Sequence, residues 1–87
     1  MAFNEEWLRP GDRRLTAEEV MALPNGKMVT LMGADMHGEK QCQDGIIGNT
    51  KSGEKVFVPL MILNGILCHM EWISIRNYKD KAWVLRG

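Results

Sequence analysis

The chain carries no excess charge of either sign, because 11 lysine and arginine residues balance 11 aspartate and glutamate residues. A protein that mainly coats nucleic acid needs a net basic surface, so this balance argues against that class. The sequence also lacks a long apolar run, since Asn64-Gly65, His69 and Glu71 interrupt its most apolar stretch. We therefore expect no helix that crosses a membrane and no membrane partner.

Cysteine is scarce in this sequence as well. The 87 residues include two cysteines, Cys42 and Cys68, which are too few for a disulfide framework. Residues 1–14 carry charges throughout and lack the apolar core of a secretory signal peptide. The sequence therefore predicts a cytoplasmic protein with free, reduced thiols.

Motifs of enzymes and metal sites are missing too. Residues 45–48, Gly-Ile-Ile-Gly, lack the lysine and the helix of a phosphate loop, and no Gly-x-Ser-x-Gly motif occurs. Four residues are possible zinc ligands: His37, Cys42, Cys68 and His69. Zinc ligands usually come in pairs roughly two to four residues apart, whereas Cys68 and His69 are adjacent on a predicted strand and point to opposite faces. We predict a non-enzymatic protein with no catalytic residue, metal or cofactor.

The apolar stretch 56–73 carries the strongest local signal in the chain, Asn64-Gly65 at its middle. Asn-Gly between two β-rich runs predicts a β-hairpin, because a type I′ turn needs positive φ at both central residues. Folding about this turn predicts the cross-strand pairs Leu63–Ile66, Met61–Cys68, Pro59–Met70 and Phe57–Trp72. A helix over part of Leu60–Trp72 is the competing prediction, because periodicity separates short buried strands and helices poorly.

Both faces of the predicted hairpin are mostly apolar. One face carries the residues of the predicted pairs, and the other carries Val56, Val58, Leu60, Ile62, Leu67, His69, Glu71 and Ile73. The predicted interface residues on this second face are Val58, Leu60, Ile62 and Leu67. A half-buried antiparallel hairpin is normally apolar on one side and polar on the other. A chain this short has little material to cover two faces, so we predict that the second face is the interface of a homo-oligomer.

The segment before this hairpin begins with a helix signal. Thr16 and Glu19 have the spacing of a capping box, and Leu15 and Val20 have that of a hydrophobic staple. These signals predict a helix over about residues 17–23, which Pro24-Asn25-Gly26 ends.

The remaining elements are predicted as short strands. Alternation predicts strands at 27–32, 45–49 and 82–86 besides the two of the hairpin, with a polar loop over 33–44. One short helix followed by about five antiparallel strands gives a mainly β (α+β) fold, a small bent sheet or a Src-homology-3-like barrel. We expect residues 15–87 to form this single domain and residues 1–14 to form an N-terminal arm.

The closing segment is the best candidate for a ligand site. It combines cations and aromatics within a short distance along the chain: Arg76, Tyr78, Lys81, Trp83 and Arg86. Aromatic stacking with charge-assisted hydrogen bonds from arginine suits a small planar anion. The alternative interpretation is a solvated turn beside a core tryptophan.

Three segments near the two ends of the chain read LTAEEV at 15–20, GKMV at 26–29 and YKDKAWVLR at 78–86. In these segments the chain resembles a group of small phage and prophage proteins of Firmicutes. The group typically reads "LT-x-E-x-L…G-x-x-V" near the start and "Y-G-K-T-W-x-A-Y-R" at the end. This chain departs from it at Lys79, Asp80 and Leu85. The resemblance implies an accessory protein of a mobile element and assigns no activity.

These observations favour a protein that acts by stoichiometric binding. The first hypothesis is counter-defence, in which an oligomer sequesters a nucleotide-type signal of the host. The second is an inhibitor that binds a host protein through the apolar hairpin. The third is a small-barrel nucleic-acid-binding regulator, which needs its cations on one surface: Arg13, Arg14, Lys79, Lys81 and Arg86.

Overall fold

The computed structural model describes residues 3–75 and 81–87 of the chain. One turn of 3-10 helix, Glu5–Trp7, comes first. The elements after it are β1 (Arg13–Leu15), α1 (Ala17–Met21), β2 (Met28–Ala34), β3 (Lys40–Asn49), β4 (Lys55–Leu63), β5 (Ile66–His69), β6 (Ile73–Ser74) and β7 (Ala82–Leu85). No helix among the described residues is long and apolar enough to cross a membrane.

The strands form one antiparallel sheet in the order β1-β7-β2-β3-β4-β5, and β6 pairs with β4 beside β5. The mainly β prediction is therefore confirmed. The described sheet is open, with β1 and β5 at its two edges. It holds seven strands instead of about five, because Arg13–Leu15 pairs with β7 and Ile73–Ser74 pairs with β4. The first of these strands begins within the segment predicted as the N-terminal arm.

Helix α1 confirms the capping-box prediction. The Thr16 hydroxyl accepts a hydrogen bond from the Glu19 backbone N–H at 3.1 Å, and the Glu19 carboxylate accepts one from the Thr16 N–H at 3.0 Å. The helix ends at Met21, two residues before the predicted end. Its last turn tightens there, since the Leu23 N–H donates to the Val20 carbonyl three residues back.

The predicted polar loop over 33–44 is wrong in most of its length. β2 continues to Ala34 and β3 begins at Lys40, so the true connection is a short turn. Asp35 closes that turn, because its carboxylate accepts hydrogen bonds from the N–H groups of His37 and Glu39. Polar residues fit the first half of β3, where Lys40, Gln41 and Cys42 are all exposed. Ladder pairing with β2 thus extends the strand through a polar segment.

Two apolar clusters lie on opposite faces of the sheet. The inner face, on the side of α1, holds the larger one: Leu15, Val20, Val29, Leu31, Ile47, Phe57, Ile75 and Trp83. The outer face holds Met32, Ala82 and Val84, and Phe3, Trp7 and Leu8 pack against them. The described part of the N-terminal segment therefore covers the outer face over β2 and β7.

The β4–β5 hairpin has the predicted register near its turn. Leu63 lies opposite Ile66 and Met61 lies opposite Cys68, as expected. The predicted Phe57–Trp72 pair is wrong, because Ile73 lies opposite Phe57. One extra residue between β5 and β6 shifts the register, as a β-bulge does. The shift places Ile73 against the core and leaves Trp72 exposed.

Candidate functional site: the projecting hairpin and a cationic cleft

The hairpin turn has the backbone geometry that Asn-Gly predicts. The φ angles are 51° at Asn64 and 79° at Gly65, both in the left-handed region that a type I′ turn requires. The pairing of β3 with β4 reaches Pro59 at its far end, and from Leu60 onward β4 pairs with β5. From Leu60 onward the hairpin therefore separates from β3, which stays paired with β2, and projects from the main sheet.

Apolar side chains are exposed on both faces of this projecting hairpin. On the outer face, Ile62 is 71% exposed and Leu67, directly opposite it, is 66% exposed. On the inner face, the exposed apolar side chains are Met61, Leu63 and Ile66. A contiguous group of exposed apolar side chains is typical of a surface that contacts another molecule, whereas single exposed apolar residues are common on any protein.

The four residues predicted as an oligomer interface share the outer face of the hairpin. Val58, Leu60 and Ile62 alternate along β4, and Leu67 lies opposite Ile62. Val58 and Leu60 are half-buried, whereas the other two are exposed. The face continues across the sheet, because Val58 pairs with Ile46 and Ile46 pairs with Met28. We call the following set the outer apolar surface: Met28, Ile46, Val58, Leu60, Ile62 and Leu67.

The residues predicted as a ligand site in the closing segment are not brought together where they can be described. Arg76 and Tyr78 lie outside the described residues. Trp83 is 4% exposed and packs edge-on against Phe57, with 5.0 Å between the ring centroids, so no face of its ring is open to a ligand. Lys81 lines a groove with Gln41 and Gln43, whereas Arg86 lines a different cleft.

That second cleft gathers three cations from distant parts of the chain. Arg9, Lys27 and Arg86 line it, together with Met28, Val29, Thr30, Asp44 and Leu85. Its volume is about 440 Å³, within the range of roughly 300–1,000 Å³ typical of small-molecule sites. We call it the cationic cleft. Sequence reasoning missed it, because Arg9 and Lys27 stand far from Arg86 along the chain.

Arg13 and Arg14, unlike the three cations of the cleft, form ion pairs with acidic side chains. Arg13 contacts Glu19 at 2.7 Å, and Arg14 contacts Glu5 at 3.2 Å and stacks over the Phe3 ring. The Thr16 N–H and the Arg13 guanidinium lower the pKa of Glu19 below its usual 4.5. By contrast, Arg9, Lys27 and Arg86 make no ion pair with any described residue.

Comparisons of the chain with models of protein families, with curated proteins and with solved structures gave no match. Within residues 3–75 and 81–87, no three histidine, cysteine, aspartate or glutamate side chains are grouped as a metal site requires. Both cysteines are free thiols, with Cys42 exposed on β3 and Cys68 half-buried on β5. The hairpin and the cationic cleft are therefore the two candidate sites among the described residues.

Proposed function

We propose that this chain is a non-enzymatic binding protein, encoded by a phage or prophage, that acts in the cytoplasm of the host bacterium. It assembles into a homo-oligomer through the outer apolar surface, and the oligomer sequesters a small nucleotide-type anion as a counter-defence factor. The observation that carries the proposal is the projecting hairpin with exposed apolar residues on both faces.

A second copy of the chain suits this hairpin better than a charged partner. Residues 56–68 contain no charged side chain, so bringing two copies together there opposes no like charges. Two copies that meet across the outer apolar surface would form a symmetric contact in which each copy presents the same residues.

Burial of the outer apolar surface supplies the driving force for this assembly. Removing an exposed leucine or isoleucine from water stabilises a complex by roughly 1–2 kcal/mol. Ile62 and Leu67 from each copy, with the half-buried Val58 and Leu60 beside them, are the side chains whose burial would oppose the entropy lost on association.

The other two hypotheses differ in their support. Binding of a host protein would use the same hairpin, and the experiment below separates it from self-association. A closed Src-homology-3-like barrel that binds nucleic acid is less favoured, because Arg13 and Arg14 are already paired with acidic side chains. Phosphate contacts by these two arginines would first have to break those pairs.

Native mass spectrometry of the protein purified from cells tests the proposal. We expect the wild type to be a closed oligomer and Ile62→Glu/Leu67→Lys to be a monomer. These two positions are directly opposite each other, so the introduced charges attract and keep the hairpin paired while its outer face becomes polar. The control is Met36→Glu, which removes a 92% exposed methionine from the β2–β3 turn and should leave the oligomer intact.

Each outcome of this experiment bears on one hypothesis. An oligomer that carries the added mass of a small molecule supports sequestration. A complex with a host protein, lost in the double variant, favours the inhibitor hypothesis instead. A bare wild-type monomer contradicts the proposal, because the hairpin would then be stable without any partner.

A further inference from the structure

We infer that the cationic cleft is a phosphate-binding site, with Arg9, Lys27 and Arg86 as the residues that contact the phosphate group. The inference rests on the proposed function, since it gives the sequestered anion a location and a chemical class. The site does not include Lys81 and Trp83, two residues of the ligand site predicted from the sequence. Lys81 lines a different groove, and Trp83 lies in the core cluster of the inner face.

The carboxylate of Asp12 joins the two backbone segments that carry Arg9 and Arg86. Residues 9–12 form a turn with Pro10 and Gly11 at its centre, where Gly11 has a φ of 90°. Asp12 Oδ2 accepts a hydrogen bond from the Arg9 backbone N–H at 3.0 Å, and Asp12 Oδ1 accepts one from the Gly87 N–H at 3.4 Å. The backbone next to Arg86 is thereby tied to the backbone of Arg9.

Close backbone packing supports the same junction. A Cβ atom at Gly87 would overlap the backbone of Gly11, so glycine at position 87 allows the two segments to touch. The two arginines are therefore positioned by contacts that neither guanidinium makes itself. Their head groups stay available for a ligand.

The third cation and the floor of the cleft belong to the sheet. Lys27 directly precedes β2, and its carbonyl accepts a hydrogen bond from the Ile47 N–H of β3 at 3.0 Å. On the floor, the hydroxyl of the buried Thr30 donates to Asp44 Oδ1 at 2.6 Å across the paired strands β2 and β3. This bond fixes the Asp44 carboxylate, whose other oxygen can accept a hydrogen bond from a ligand hydroxyl.

The charge of the cleft matches a phosphate group. Three cations and one carboxylate leave a net charge of plus two among the lining side chains. A phosphate monoester carries about −1.5 to −2 charges near neutral pH and offers three acceptor oxygens. Arginine binds such a group through paired N–H donors, and lysine binds it as a point charge. Mutual repulsion of the cations falls when the anion enters.

The cleft also adjoins the proposed interface. Met28 both lines the cleft and belongs to the outer apolar surface. A second copy seated on that surface would therefore lie next to the bound phosphate. This arrangement is consistent with a site at a subunit boundary.

Isothermal titration calorimetry with ADP and with inorganic phosphate tests the inference. We expect the wild type to bind ADP, and Lys27→Gln and Arg86→Gln each to weaken binding roughly tenfold or more, since each loses one charge-assisted contact. The matched control is Lys51→Gln in the exposed β3–β4 turn, which should bind like the wild type. Native mass spectra of all variants check that the fold and the assembly are unchanged.

The outcomes separate this inference from the proposed function. Equal affinity for phosphate and ADP would show that the site recognises the phosphate group alone. Tighter binding of ADP would show that the protein also contacts the nucleoside. Both results support the site. If the two variants bind ADP as tightly as Lys51→Gln does, the inference is overturned while sequestration stands. If the wild type binds neither probe, the inference is overturned. The proposed oligomer is then tested separately by the native mass spectrum.

Discussion

Gly45 is the residue at which the sheet has least room for a side chain. It is buried on β3, where an added Cβ atom would lie 2.5 Å from Phe57 Cζ and 2.5 Å from the Val58 carbonyl oxygen. Phe57 cannot easily move aside, because it is fully buried and packs edge-on against Trp83. The close approach of backbone and ring therefore depends on glycine.

We expect Gly45→Ala to destabilise the protein by about 1–3 kcal/mol, the usual cost of overpacking a core. The same substitution at Gly48, three residues further along β3, meets no atom within 4 Å and should change stability little. Urea unfolding followed by tryptophan fluorescence measures both. Equal stability of the two variants would mean that Phe57 and Val58 rearrange freely around the new methyl group.

The N-terminal cap of α1 is hydrogen-bonded to the neighbouring strand β1 through Glu19. Glu19 accepts from the Thr16 N–H within the helix cap and from the Arg13 guanidinium on β1. Both partners favour the ionised carboxylate. The pKa of Glu19 is therefore lowered, first by the backbone hydrogen bond from Thr16 and then by Arg13.

This lowered pKa predicts a dependence of stability on pH. A carboxyl group whose pKa is lower in the folded state adds its full stabilisation above the unfolded value, close to 4.5, and loses it as the pH falls through the folded value. Glu19→Gln keeps an oxygen for the Thr16 N–H but removes the charge. We expect the melting temperature of this variant to fall less steeply with acidification than that of the wild type.

Thermal melts from neutral pH down to well below 4.5 provide the measurement. The control is Glu18→Gln, since the Glu18 carboxylate makes no hydrogen bond with a described residue and lies on the same helix. If the melting temperature falls as steeply with acidification in Glu19→Gln as in Glu18→Gln, the assignment to Glu19 is contradicted.

On the scale of the whole molecule, the two halves of the outer face differ in how they are covered. The N-terminal segment packs Phe3, Trp7 and Leu8 onto the part formed by β2 and β7. Phe3 and Trp7 also contact each other edge-on, with 6.0 Å between ring centroids. The part toward β4 and β5 carries the outer apolar surface and is covered by none of these three residues.

Trp7 should therefore matter to folding more than the exposed Trp72 does. Trp7→Ala removes a half-buried ring from the outer cluster, and we expect a loss of about 2 kcal/mol, below the 3–5 kcal/mol of a fully buried tryptophan. Trp72→Ala deletes the same side chain at a site that is 48% exposed and should cost less than about 1 kcal/mol. Urea unfolding followed by circular dichroism compares them, and a larger loss at Trp72 would contradict the packing of the N-terminal segment.

Local chemistry made several elements predictable from the sequence. The capping box at Thr16 and Glu19 and the turn at Asn64-Gly65 each depend on residues a few positions apart. Cap hydrogen bonds and positive φ angles are decided within those few residues, whatever the rest of the chain does. The hairpin register next to the turn follows directly, and so does the placement of Ile62 and Leu67 on one face.

Tertiary structure alone decided the features that join distant segments. The one-residue shift that moves Trp72 out of the core, the pairing of β1 with β7 and the polar start of β3 depend on neighbouring strands. The cationic cleft depends on them most, because side chains at positions 9, 27 and 86 meet only after the sheet has ordered its strands and Asp12 has joined the two ends of the described chain. Short-range hydrogen bonds and backbone angles depend on neighbouring residues, so the sequence by itself determines them. Contacts between remote residues form only when the elements pack together, so the tertiary structure decides them.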